Sequence, residues 1–254
     1  MLFRSRSAGR KVLVPYVTGG LKNWKEAIRA AVAAGADAVE VGIPFSDPVM
    51  DGPVIQEASQ RALDAGATPE SILAEIPSID VNVPIVVMLY YNTVFRMGHQ
   101  RFASLCADRG VSGAIVPDLP LEEAGEWCAA ADVAGVETVM LAAPTAPDNR
   151  LPLIAARAHG FVYAVGLLGI TGERDSLANT ATAIARRVKA VTDKPVLVGV
   201  GVSNAEQARE ACRTADGVIQ GASVVRRLME SGPDAVGEYI AEVRAAIDTV
   251  AVGD

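Results

Sequence analysis

The sequence predicts an α/β fold, a single (β/α)8 or TIM barrel over residues 1–254 with an enlarged connection after strand two. Three observations carry it. Short β-branched runs alternate with alanine-rich helical stretches from end to end, and they do so eight times. Several helix-to-strand joins read alike, with glycine after the helix and a strand at once behind it: AGADA at 34–38, RGVSG at 109–113 and AGVET at 134–138. With half of its 254 residues hydrophobic, the chain can fill one such core. An open doubly wound sheet is the lesser alternative.

The strands are expected at 11–17 (KVLVPYV), 37–43 (DAVEVGI), 84–90 (PIVVMLY) and 113–118 (GAIVPD). Four more follow at 137–142 (ETVMLA), 161–166 (FVYAVG), 195–200 (PVLVGV) and 217–221 (GVIQG). Helical patterns fill the gaps, among them 24–33, 101–108, 121–133, 178–191 and 205–213. The second unit is the odd one. About forty residues separate strands two and three, enough for a proline-framed loop and two short helices near 56–66 and 69–75. Loops after barrel strands carry the chemistry of this fold, so the enlarged one is the first place to look.

A net charge of −7 offers no general attraction for nucleic acid or an anionic membrane. No apolar run approaches membrane-spanning length. Cys106, Cys128 and Cys212 sit apart in helical segments and read as small core residues of a cytoplasmic protein. Arg4, Arg6 and Arg10 faintly suggest a transit peptide, but a strand beginning at Lys11 favours a disordered or short terminal arm.

Glu40 is a lone carboxylate in an apolar strand. Alternation puts it on one face with Ala38 and Gly42, leaving Val39, Val41 and Ile43 for the helix layer. Bulky residues then meet the helices and small ones leave room around the acid inside the barrel. Burial raises a carboxyl pKa, so Glu40 can hold or release a proton near neutrality. The bland alternative is a Glu satisfied by a structural hydrogen bond. Asp51, followed by Gly52, would alone be an ordinary turn residue; the frame Pro44, Pro48 and Pro53 stiffens its loop at the expected catalytic face. Two carboxylates in different surroundings can divide acid and base work.

Glycine marks three late turns: 169–172 (GITG), 199–203 (GVGVS) and 221–223 (GAS). The last two follow strands seven and eight, where barrels hold phosphate on backbone N–H groups and a helix start. None of the five lysines lies at the C-terminal end of a strand, which argues against a Schiff-base aldolase. Two histidines, His99 and His159, are too few for a metal-dependent aldolase or epimerase, so no metal site is expected. Carboxylate acid–base chemistry on a phosphorylated substrate remains.

Residues 40–56 (EVGIPFSDPVMDGPVIQ) resemble the signature of the tryptophan synthase α subunit family, supported in order by 14–20 (VPYVTGG), 89–92 (LYYN), 116–120 (VPDLP) and 169–172. The resemblance spans nearly the whole chain. It implies a carbon–carbon lyase of tryptophan biosynthesis that cleaves indole-3-glycerol phosphate to indole and glyceraldehyde 3-phosphate. It casts Glu40 as general acid/base, Asp51 as stabiliser of the indole N–H, and Tyr163 as an active-site tyrosine beside the glutamate. Tyr16, Met88, Tyr90, Ile115 and Pro117 would line the indole pocket. Gly172, Gly201, Gly221, Ala222 and Ser223 would take the phosphate. It implies a β subunit as partner in an α2β2 heterotetramer, met through Asp47, Pro48, Asn92, Phe95, Asp118 and Pro120. Pyridoxal phosphate is expected only on that partner, and no cofactor in this chain.

Three places depart from the family pattern. Gly221-Ala222 stands where Gly-Ser is familiar, with Ser223 one place later; 166–168 reads Gly-Leu-Leu where many relatives have a polar and a basic residue; and the extra helix before strand one is expected to be missing or reduced. Rival readings are another phosphate-binding barrel, such as a sugar-phosphate isomerase or epimerase, and a non-catalytic barrel that activates its partner.

Overall fold

The computed structural model describes residues 9–166, 174–199 and 201–250, with 174–179 described by their backbone alone. Eight parallel strands close into a barrel in chain order: β1 (Val12–Thr18), β2 (Val39–Gly42), β3 (Ile85–Met88), β4 (Gly113–Ile115), β5 (Glu137–Ala142), β6 (Val162–Ala164), β7 (Val196–Val198) and β8 (Gly217–Gln220). β8 pairs back onto β1 through Val12 and Gly217, which leaves no free sheet edge. All eight expected strands are present, most of them shorter at their C-terminal ends. Those ends leave the ladder to become the loops of the barrel mouth.

The first helices are α1 (Trp24–Ala33), α2 (Pro53–Asp64), α3 (Pro69–Glu75), α4 (Tyr91–Met97), α5 (His99–Asp108) and α6 (Gly125–Ala134). After them come α7 (Leu151–Arg157), α8 (Arg174–Lys189), α9 (Ala205–Cys212), α10 (Ala222–Ser231) and α11 (Pro233–Ile247). α2 starts three residues before the expected position because Pro53, whose fixed φ and missing N–H suit a first helical position, opens it. α6 starts at Gly125 rather than 121: Pro120 accepts the Glu123 N–H at 3.0 Å, and the residues between are spent on turns. α3 carries a reciprocal Thr68–Ser71 cap and runs into a short 3-10 turn at Ile76–Ile79.

Alternation sorts the core into two bodies. Val39, Val41 and Ile43 join the large core between barrel and helices, while Ala38 joins Val12, Val14, Val86, Ile115, Val139, Phe161, Leu197 and Ile219 inside the barrel. The inner group fills the lower lumen, and a cavity opens toward the C-terminal ends of the strands.

The opposite end is tied by two copies of one device. An aspartate just before a strand accepts a backbone N–H from the first two residues of the strand that precedes it: Asp37 from Leu13 and Asp216 from Val196, both at 2.9 Å. Each meets a cation, Arg244 at 3.1 Å from Asp37 and Lys189 at 2.6 Å from Asp216. Lys11 donates to Ala215 O, and Lys194 caps the C-terminus of α7 by donating to the carbonyls of Ala155, Ala156 and Ala158. These lysines serve structure at the end remote from the mouth, as their strand-start positions imply. The three cysteines are buried, as expected of core residues. No helix among the described residues is long and apolar enough to cross a membrane. The terminal arm (1–8) lies outside the described residues.

Candidate active site

A cavity of about 510 Å³ opens at the C-terminal ends of the strands. Strand register brings its parts together. Tyr16 pairs with Glu40, and Gly42, Met88 and Ile115 form a continuous row across β2, β3 and β4. Glu40 lines the cavity yet is only 1% exposed. Its Oε2 has no hydrogen-bond partner among the described residues. Burial, with a smaller contribution from the charge of Asp51, pushes its carboxyl up to about 8. At neutral pH it carries a proton.

Asp51 lines the same cavity, half-buried, on the loop after β2. Burial raises its carboxyl, while a hydrogen bond from Tyr90 opposes the rise. Tyr90 also accepts the Met50 N–H at 3.0 Å and stacks on Phe45 at 5.2 Å. Its ring is 2% exposed and stands behind the loop, outside the cavity lining. The family resemblance implies Tyr90 on the pocket wall beside Met88. β3 ends at Met88, however, and Tyr90 is already the residue preceding α4, so strand alternation no longer governs it.

Tyr16, Met88, Ile115, Pro117 and Tyr163 all line the cavity. Burial, reinforced by the nearby carboxylates, holds the phenols of Tyr16 and Tyr163 well above the ordinary tyrosine range, so both stay neutral. Two glycines make room for them. A Cβ at Gly199 would lie 2.0 Å from the Tyr163 hydroxyl, and one at Gly42 would meet Tyr16 as closely. Leu141, Val165 and Ile219 complete the apolar wall. They continue the inward parity of Val139, Tyr163 and Gly217 along their strands, a signal the sequence already held.

Gly201, Val202, Ser203, Gly221, Ala222 and Ser223 also line this cavity. Gly201 has φ 93°, a conformation that favours glycine. Gly221 caps α10, and a Cβ built on it would meet nothing within 4 Å, so the backbone there faces open space. The amides of Ala222 and Ser223 begin the helix, where N–H groups lack intrahelical partners. The hydroxyl of Ser223 is already in use: it donates to Ser203 O at 3.0 Å. Gly172, with the rest of 169–172 and Leu167-Leu168, lies outside the described residues. No group of three or more His, Cys, Asp or Glu placed to hold a metal occurs among the described residues.

The residues expected to meet a partner lie around the same mouth. Asp47, Asn92, Phe95, Asp118 and Pro120 are exposed and Pro48 is half-buried. The Asp118 carboxylate accepts the Tyr91 N–H at 2.8 Å and so caps α4 from the loop after β4. Val49 and Met50, 75% and 44% exposed, extend the apolar part of this face with Phe95. The sequence reading did not single them out, although two apolar residues on a proline-framed loop are a usable sign.

The class follows from fold and cavity together: a (β/α)8 protein with two carboxylates of raised pKa on an apolar cavity and glycine turns after β7 and β8. The sequence model of the family described as "Tryptophan synthase alpha chain" matches residues 2–250. The chain is 42% identical over 263 residues to the tryptophan synthase alpha chain of Thermobifida fusca, covering 98% of this chain and 97% of the relative. It is 43% identical over 261 residues to that of Streptomyces coelicolor, covering 99% and 94%. A solved structure of Mycobacterium tuberculosis tryptophan synthase superposes with a TM-score of 0.89 at 36% identity, covering 99% of this chain and 97% of that one. This chain belongs to the tryptophan synthase alpha chain family.

Proposed function

We propose that the protein is a lyase that cleaves indole-3-glycerol phosphate by a retro-aldol reaction, releasing indole and glyceraldehyde 3-phosphate. One observation carries the reading: Glu40 is a buried carboxyl whose Oε2 has no hydrogen-bond partner among the described residues, in a cavity that also holds a second carboxyl group, and burial there favours its protonated form. Glu40 donates its proton to indole C3, which leaves a positive charge on the ring nitrogen. Asp51, as a carboxylate, accepts the N–H and stabilises that charge. The bond between C3 and the glycerol carbon then breaks, its electron pair restoring the indole ring. The adjacent hydroxyl becomes the carbonyl and returns its proton to Glu40, so no net proton is consumed. Tyr163 stays neutral and packs against the lumen cluster beside the reacting ring. Tyr16, Met88, Ile115 and Pro117 supply the apolar wall.

The phosphate rests on backbone N–H groups around Gly201, Gly221 and Ala222, supported by the open space over Gly221 and the start of α10. The exposed apolar residues Val49, Met50 and Phe95 support docking of a β subunit at the mouth, where it would receive the indole. That partner carries the pyridoxal phosphate, and the assembly is a cytoplasmic α2β2 heterotetramer. The test is indole release from indole-3-glycerol phosphate with and without a β subunit. Release that Glu40→Gln abolishes supports the reading. No release under either condition overturns it, as does parental activity in both Glu40→Gln and Asp51→Asn.

A further inference from the structure

The turns after β7 and β8 must act on one phosphate, yet they belong to separate strand–helix units. The ladder between those strands ends with the pair Val198 and Val218, short of both turns. Something else has to fix their spacing, because backbone amides have no side-chain freedom with which to adjust.

A chain of polar side chains does so. Ser223 Oγ donates to Ser203 O at 3.0 Å, joining the first turn of α10 to the loop after β7. Ser203 is held from its other side, where its N–H and hydroxyl both donate to Gln207 Oε1, at 2.8 and 2.9 Å. One turn along α10, Arg227 donates to Ser223 O at 3.0 Å and lies 3.8 Å over the ring of Tyr239 on α11. The Tyr239 hydroxyl donates to Oε1 of the fully buried Gln220 at 2.6 Å, at the end of β8. Arg227, Tyr239 and Gln220 lie outside the cavity lining. Arg227 reaches the lining through Ser223 O, and Tyr239 reaches it through Gln220, whose chain neighbours Ile219 and Gly221 line the cavity.

We propose that Ser223, Arg227 and Tyr239 are positioning residues for phosphate recognition, a clamp that fixes the α10 amides at a set distance from the loop after β7. The inference rests on the phosphate reading given above. It also assigns the displaced serine a use: one residue beyond the familiar place, its hydroxyl ties two loops together instead of touching the ligand.

The test is calorimetric titration of the full chain with inorganic phosphate, glycerol 3-phosphate and indole, the last lacking a phosphate. Ser223→Ala is expected to weaken both phosphate ligands by about 2- to 10-fold, the effect of one hydrogen bond. Arg227→Met is expected to weaken them by about 2- to 5-fold through loss of the cation–π contact. Indole affinity stays at the parental value, Ser223→Thr restores phosphate affinity, and KM rises by a larger factor than kcat falls. Parental phosphate affinity in both Ser223→Ala and Arg227→Met overturns the clamp while leaving the phosphate site intact. Equal losses for indole and phosphate also overturn it, by showing a general packing role. If the unaltered protein binds neither phosphate ligand in competition with substrate, the phosphate reading itself fails and the clamp with it.

Discussion

The hydroxyl of Tyr16 occupies the space that a side chain on Gly42 would need: a Cβ there would lie 1.9 Å from the oxygen and 2.3 Å from ring carbon Cζ. The last residue of β2 is glycine because the neighbouring strand leans a phenol across it, two positions above Glu40. Gly42→Ala therefore overfills the mouth and is expected to cost about 1–3 kcal/mol of stability. Thermal melts would show the loss, and kcat/KM would fall with it. Removing the phenol as well, in Gly42→Ala/Tyr16→Ala, should recover part of the melting temperature. A parental melting point in the single variant would contradict the packing described.

Glu40 also makes a prediction about folding. Its carboxyl lies near 8 in the folded protein against an ordinary 4.5, so ionising it weakens the fold. The penalty is absent below pH 4.5, grows as pH rises toward 8, and is constant above. Glu40→Gln removes it. Denaturant titrations should find the variant equal to the parent at pH 4 and more stable at pH 9, by on the order of a few kcal/mol.

The same pair shapes the pH–rate profile. The proposed mechanism needs Glu40 protonated, so kcat/KM should decline as pH rises through about 8. It needs Asp51 ionised, and because burial raises that carboxyl, the acid limb should lie above the usual aspartate range. Asp51→Asn is expected to lower kcat by roughly 100- to 1000-fold, the scale of losing one preorganised electrostatic partner. Steady-state rates across pH would check both limbs.

The barrel and the direction of Glu40 were legible because strand alternation is local: Ala38, Glu40 and Gly42 share a face whatever lies across from them. The turns after β7 and β8 that line the cavity were legible from glycine placement. What could not be read was where long side chains go once a strand ends. Tyr90 continues the parity of Met88 on paper, but its backbone has entered the cap of α4, and its hydroxyl serves the loop of Asp51. Ser223 is two residues from a glycine that faces the cavity, yet its hydroxyl turns to Ser203. Both outcomes depend on a partner 20 or more residues away, which no local pattern encodes.

Tyr90→Phe tests that hidden support. It keeps the stack on Phe45 and removes the oxygen shared by Met50 and Asp51. A loss of about 1 kcal/mol in stability is expected. A fall in kcat/KM of roughly tenfold should accompany it as Asp51 loses its orientation. Unchanged kinetics would show that Asp51 is held by other means.

Arg244 at the far end of the barrel provides the contrast. It is buried, donating to Lys11 O at 2.9 Å and to Asp37 at 3.1 Å. Arg244→Met removes the nearer of two guanidinium groups on the buried Asp37 carboxylate, the other being Arg10 at 3.8 Å, and should cost about 3 kcal/mol of stability. Below the new melting temperature, kcat/KM should match the parent, because Arg244, Lys11 and Asp37 lie outside the cavity lining.

A carboxyl that already holds its hydrogen at neutral pH has nothing to collect from solvent before it meets an aromatic ring. At pH 7 Glu40 would then take up little from the medium on loading, and a dependence of the heat of ligand uptake on buffer ionisation enthalpy would report mainly on the ligand's phosphate, which titrates near neutrality. On the proposed mechanism, the hydrogen that Glu40 gives to the ring is replaced by the one it recovers from the glycerol hydroxyl.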